Sequence, residues 1–426
     1  RAIVSLGAAR KLKPLDAVIT APTLRLDGSI LDVPGYDKAT RLLFDGDGDH
    51  PVIPLQPMKD QALAALATVW EPFKDFPFAE PLDQAVHLAA ILTAAIRPVL
   101  PTAPAFSYDA PVQGSGKTLL ASCISVIATG TEPSAMPPIS SNDDEEIRKR
   151  LFTELRGGNR VILWDNVVGN LDSPAMATML TSPNYSDRIL GASESATVPN
   201  RAILLLTGNN FAAVGDLSRR ILVCRIDPET DRPFARQFNL NPLAHCQAYR
   251  LEIVAAALTL IRYHFQYGEQ LGAGAIASFE DWDRLVRQTV LRADQLWPGQ
   301  FADVMNRVII NQETDPEQES LDQFLTAWEA VFGATQVTAQ EVLHRIGEYM
   351  NEPAQQLKAA LRELAPSVKD FSEKSIGNIL KFRKGRIVNG RRLVARRIAK
   401  KSWWSVTGGS KVGQRVSCVP HARDSM

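Results

Sequence analysis

Residues 108–121, YDAPVQGSGKTLLA, constrain this chain more than any other stretch. They read as a short strand, a glycine-bearing loop and a helix that opens at Lys117. Such a loop aims several backbone N–H groups at one point beside the partly positive start of a helix, and phosphate oxygens are the natural occupant. In the spacing G-x-x-x-x-G-K-[ST] the lysine reaches the outer phosphates and the hydroxyl sits on Mg²⁺. Here Pro111 takes the first glycine position, while Gly114 and Gly116 are kept. The expected phosphate cradle is therefore Gly114, Ser115, Gly116, Lys117, Thr118 and Leu119, with Thr118 on the metal side. The alternative is a glycine turn ahead of an unrelated helix, and the strands downstream argue against it.

A chain of 426 residues is too long for one core and predicts two to four domains. With 45% hydrophobic and 22% charged residues it has the composition of a soluble globular protein. It opens on Arg1 rather than Met, which reads as a fragment or processed product. The most apolar helix, 85–100, is interrupted by His87, Arg97 and Pro98, so a buried helix is expected, not a membrane span. No signal peptide is visible, and Cys123, Cys224, Cys246 and Cys418 show no C-x-x-C spacing. Free thiols in a reducing cytoplasm are expected, not zinc or disulfides. The net charge is zero but unevenly spread: 367–426 carries 15 Lys/Arg against three acids, +12, which leaves −12 on 1–366. A basic tail domain on an acidic body is the footprint of a nucleic-acid contact, with a solvated basic face as the alternative.

Residues 1–80 form a small region in which APTLRLDGSILDVPGYD reads as short strands joined by turns at Asp27-Gly28 and Pro34-Gly35. DGDGD at 45–49 resembles a calcium loop, but lacks the bidentate Glu and reads as a solvated turn. Helix 82–100 leads into the loop strand, and the helix after the loop should stop near Gly130. A charged helix, 142–156, precedes RVILWDN at 160–166, an apolar run that suits a strand buried on both faces. Its closing acid, Asp165, stands where parallel sheets bind ligands and is the candidate to hold Mg²⁺ through water, opposite Thr118. Ser173-Pro174 opens a helix through 180. RILGASESATVPNRA reads as a hairpin with its tip at 192–195, and AILLLTGNN as a second buried strand ending at Asn209 and Asn210. Arg219 and Arg220 then precede a third apolar run. The order is phosphate loop, acid, asparagine, arginine.

With APVQGSGKT, EEIRKRL, VILWDN, DRILGASESATVPNRA, LLLTGNN and GDLSRRI in that order, the chain resembles AAA+ ATPases of the superfamily-three helicase type. More narrowly it is similar to the primase-associated replicative helicases of phages and mobile elements. The resemblance implies an α/β fold, with an AAA+ P-loop core at 81–230 and a helical subdomain at 231–314. It implies ATP and Mg²⁺ as cofactors, DNA (single-stranded or forked) and a primase as partners, and a ring of identical subunits, a hexamer. Asn209 would position the attacking water or γ-phosphate. Arg220, with Arg219 as substitute, would be the finger that serves the neighbour's nucleotide. Two departures stand out. Many relatives carry a glutamate where this chain has Asn166, which orients a water but cannot accept its proton. Either dissociative phosphoryl transfer needs no strong base, or another carboxylate serves, with Glu146 a candidate that reads more readily as a solvated helix acid, or the ATPase is slow or silent. The pore hairpin lacks a basic tip, so Arg188, Ser193 and Ser195 are the remaining phosphate contacts there.

Segments 243–265 and 275–296 read as helices, with Arg284 or Arg287 as a second phosphate sensor or, more in keeping with the pattern, in a surface or interface role. From 315 three helices lead to a Ser372-capped basic helix and an Asn389-Gly390 hairpin. This pattern predicts a winged helix-turn-helix domain at 315–415, ahead of a disordered 416–426. Lys381, Arg383, Lys384 and Arg386 would face DNA phosphates from the helix, and Arg391 and Arg392 from the wing. Trp403 and Trp404 either stack on bases or bury at least one ring in the core. A ring-forming, ATP-dependent DNA helicase is the leading expectation. The alternatives are an origin-binding or assembly protein that uses ATP as a switch, and a remodeller of protein.

Overall fold

The computed structural model describes residues 13–136, 143–189, 194–230, 239–313, 316–348, 351–365, 368, 370–398 and 401–408. The chain forms two compact units, 1–312 and 313–426. In the first, Ala17–Ile19 runs parallel to Leu42–Phe44, which pairs antiparallel with Gly35–Asp37. Thr23–Leu24 turns back on Ile30–Leu31. Gly28 in that turn has φ +86°, and a Cβ there would meet the Phe265 ring at 2.4 Å, so the turn and its packing both require glycine.

The centre of this unit is a five-stranded parallel sheet. Its strands in chain order are β1 (Ala105–Asp109), β2 (Ala135–Met136), β3 (Val161–Val167), β6 (Ile203–Gly208) and β7 (Ile221–Arg225). Between β3 and β6 the hairpin strands β4 (Asn184–Arg188) and β5 (Ser195–Pro199) pair with each other alone. The sheet order is β7-β1-β6-β3-β2. Parallel strands need crossovers, which place helices against the sheet and bury both faces. That is why β1 and β6 are buried at every position, and why β6 opens on the apolar run Ile203–Leu206.

The helices are α1 (Lys59–Trp70), α2 (Pro81–Ile96), α3 (Lys117–Thr129), α4 (Asp144–Arg156), α5 (Pro174–Leu180), α6 (Pro242–Ala248), α7 (Arg250–Phe265), α8 (Gln288–Leu296) and α9 (Met305–Glu313). Helix α2 is buried almost all round, His87 included, whose Nδ1 lies 2.9 Å from the Tyr108 hydroxyl of β1. Helix α3 ends on Gly130 at φ +85°, a left-handed cap that satisfies the last turn. The charged helix begins at Asp144, later than its charge pattern predicts, because the Asp143 side chain caps it by accepting from the Glu146 amide. Ser173 caps α5 in the same way, accepting from the Met176 amide. Arg148 of α4 braces the hairpin through Asp187 at 2.6 Å. Residues 190–193 of the hairpin, Ser193 among them, lie outside the described residues.

The second unit has its own core of Phe324, Trp328, Leu357, Leu361, Leu380 and Trp404. Helices α10 (Pro316–Phe332), α11 (Ala339–Ile346), α12 (Glu352–Leu364) and α13 (Glu373–Arg383) accompany an antiparallel sheet. Its strands are β8 (Val337–Thr338), β9 (Ile387–Val388), β10 (Arg391–Ile398) and β11 (Lys401–Thr407), in the order β8-β11-β10-β9. Asn389 and Gly390 have φ +50° and +74°, so the two-residue turn between β9 and β10 is of the mirror-image kind that suits strand twist. The sheet is larger than the hairpin alone because β8 pairs with Trp403 and Trp404. Trp404 is buried in the core, and Trp403 is half-buried. Among the described residues no helix is long and apolar enough to cross a membrane.

Candidate phosphate-binding site

Strand β1 ends at Asp109 and the chain loops through 110–116 before α3 starts. Gly114 and Gly116 hold φ +76° and +92°. At Gly116 an added Cβ would lie 3.0 Å from the Phe76 ring, so strain and crowding both select glycine. The Ser115 hydroxyl closes the loop on the Val112 carbonyl at 2.6 Å. A cavity of about 450 Å³ is lined by residues 113–119 together with Asn166 and Asn209.

Four side chains from three strand ends meet here. The Lys117 ammonium donates to Asn209 Oδ1 at 2.7 Å and to the Val112 carbonyl at 3.3 Å. Burial lowers its pKa, against the pull of Asp109 and Asp165. The Thr118 hydroxyl donates to Asp165 Oδ1 at 3.1 Å. These contacts need β1, β3 and β6 side by side, which the sheet order provides. A hydroxyl and a carboxylate at the carboxyl edge of a parallel sheet form the hard-oxygen donor set that suits Mg²⁺.

Two further residues hold this arrangement and carry no sequence motif. The Thr207 hydroxyl donates to Asp165 Oδ1 at 2.5 Å and accepts from the Asn166 amide at 3.0 Å. It sits where β6 and β3 slip register between Leu206 and Gly208, and a bulge of that kind re-aims neighbouring side chains. Asn166 is exposed at φ +59°, a left-handed conformation asparagine tolerates better than most residues. The backbone N–H groups of Phe211 and Asn210 lie near enough to Asp109, at the start of the loop, to act on its carboxylate. Burial raises its pKa, and those two amides pull the other way.

The structure does not bring every expected residue to this cluster. Strands β1 and β7 are parallel with Arg225 opposite Asp109. Arg219 and Arg220 therefore lie at the far edge of the sheet, about 17 Å away for five residues at 3.3 Å each. Arg220 donates to the Ala177 carbonyl at 2.6 Å, and Arg219 pairs with Asp216 at 3.0 Å. Glu146 pairs with Arg150 at 2.9 Å along α4 and does not line the cavity, as the reading of a solvated helix acid expects. Arg287 is neither a phosphate sensor nor a surface residue. It is buried at 1% side-chain exposure between Asp283 and Asp303, so its donors are already taken. Arg284 pairs with Asp281 and the Leu26 carbonyl. Arg188 and Ser195 face each other as the last described pair of the hairpin, both exposed.

In the second unit Lys381, Lys384, Arg386 and Arg392 are exposed. Arg391 is half-buried. Its guanidinium is held by Asp322 at 2.6 Å and Glu329 at 2.9 Å, both on α10. Arg383 is half-buried and donates to the Leu364 carbonyl at 3.3 Å.

No family model and no curated protein matches the chain. Among solved structures, the apo A form of the NrS-1 C-terminal region (305–718) is similar at TM-score 0.38 and 10% identity, over 88% of this chain and 84% of that one. The active helicase Cch of SCCmec type IV is similar at TM-score 0.35 and 12% identity, over 95% and 82%. JCV helicase is similar at TM-score 0.26 and 15% identity, over 60% and 67%.

Proposed function

We propose that the chain is a P-loop ATPase that works as a DNA helicase in a ring of identical subunits, in the replication of a phage or mobile element. The observation that carries this reading is the meeting of Lys117, Thr118, Asp165 and Asn209 around one glycine loop. Loop amides 114–119 and the start of α3 attract a triphosphate. Lys117 exchanges Asn209 for a phosphate oxygen, which frees the Asn209 amide to orient water. Thr118 and Asp165 would hold Mg²⁺, which when bound draws charge off the phosphates. Arg220, remote from its own loop, would serve a neighbour's nucleotide by giving up the Ala177 carbonyl and Asp216. The second unit, with a helix-rich half, a basic helix and an antiparallel sheet, fits a winged-helix DNA-binding domain.

DNA-stimulated ATP hydrolysis and strand displacement on a forked duplex test the proposal. Both should be present in the wild type and lost in Lys117→Ala. A chain that hydrolyses no ATP with or without DNA overturns it. A second reading, an origin-binding or assembly protein that uses ATP as a switch, is favoured by Asn166, which cannot accept a proton from water. Nucleotide-dependent assembly on DNA without strand displacement would select it.

A further inference from the structure

The strongest positive feature of the second unit is not the arginine strand but a groove of about 780 Å³ beside α13. Lys374, Lys381 and Lys384 line it with Gly377, at spacings of three and four that put them on one face of the helix and its exit. Lys401 and Ser402 of β11 line it from the sheet, and Thr338 and Ala339 from the start of α11. All four lysines are exposed, and none has an ion-pair partner among the described residues. Glu373 is the one acid in the lining. Glu341 lies near Lys401, but its carboxylate accepts the Thr338 amide and hydroxyl as the cap of α11.

We propose that this lysine groove binds the phosphodiester backbone of DNA without reading its sequence. The inference rests on the DNA-directed function above and names the surface that serves it. Lysine is a flexible point charge suited to phosphate, and Arg, Asn and Gln, whose planar side chains read base edges through paired hydrogen bonds, do not line the groove. The arginine that the sequence offers most plainly, Arg391, is neutralised by two carboxylates of its own unit.

The test is salt-dependent binding of the full chain to duplex and single-stranded oligonucleotides without nucleotide, for wild type, Lys381→Gln/Lys401→Gln and Arg392→Gln/Arg396→Gln. Each lost phosphate contact lowers the slope of log affinity against log salt by about 0.9 on duplex and about 0.7 on single strands. The lysine pair should therefore lower it by about 1.8 or about 1.4, with at least a tenfold loss of affinity at low salt, equally on two unrelated sequences. Thermal melting, which surface glutamines should leave unchanged, reports that the variant is folded. Wild-type slopes in the lysine variant, with the loss moved to the arginine variant, overturn the groove and leave the helicase reading intact. A wild type without salt-dependent DNA binding overturns both.

Discussion

Asp165 Oδ1 receives two hydroxyl groups, from Thr118 at 3.1 Å and Thr207 at 2.5 Å, and only the first belongs to the phosphate loop. Thr207→Val keeps the shape and removes the second. It also strips the partly buried Asn166 amide of its partner, at a cost of up to about 1 kcal/mol. The expected result is about a tenfold fall in kcat, a raised Mg²⁺ requirement and little change in KM for ATP, read from ATPase rates across a Mg²⁺ titration. Gly116→Ala should be worse for binding, because left-handed φ and the Phe76 ring oppose a Cβ together. A loss of at least about 1 kcal/mol in stability, with nucleotide affinity lost as well, is the outcome to look for in melting curves. At this scale Lys117 and Thr118 are visible from the spacing of the glycine loop, and Asp165 and Asn209 from their places at the ends of apolar runs. Thr207 and Asp109 were not. They act through backbone amides on other strands, and such a role leaves no spacing or periodicity behind.

Among the elements, β10 shows how tertiary pairing redirects a residue that sequence places on a surface. Arg391 sits beside Arg392 in a basic run, yet it points to α10, more than sixty positions earlier. Arg391→Gln leaves Asp322 and Glu329 without their partner. All three groups are partly exposed, so solvent screening limits the loss to roughly 1 kcal/mol. A lower melting temperature of the second unit with an unchanged salt slope for DNA is expected. An altered slope with unchanged melting would reverse the assignment. Strands β3, β6 and β7 of the parallel sheet are legible because burial on both faces leaves apolar runs, whereas β2, two residues in a proline-punctuated stretch, is not. The four-stranded sheet of the second unit was not, because Val337–Thr338 is two residues long and its partner lies across the unit. Arg287 was misjudged for a related reason. The pattern of its helix separates two faces, but carries no signal that Asp303 closes over the polar one.

For the whole molecule, the first unit buries two neutral histidines. Burial holds the His87 pKa down to about 3, and burial with Arg292 holds His264 down to about 4. At these two histidines the unfolded chain binds more protons than the folded one once pH falls below about 6.5, which lowers stability, while Asp83, raised to about 6 by burial, offsets part of the fall. Each histidine should cost about 2 kcal/mol between pH 7 and pH 5 by linkage, read as a falling urea midpoint. His87→Gln should flatten that profile by one proton, and a profile identical to wild type would contradict the account. The separate cores predict that residues 1–312 alone melt cooperatively.

The hydrogen bond between Lys117 and Asn209 makes the two positions a single thermodynamic unit. A phosphate that recruits the ammonium must first break that bond, so part of the ligand's attraction is offset before any affinity is measured. The penalties of truncating each side chain should then fail to add. In a double-mutant cycle on nucleotide affinity, the doubly truncated chain should bind less weakly than the separate losses require.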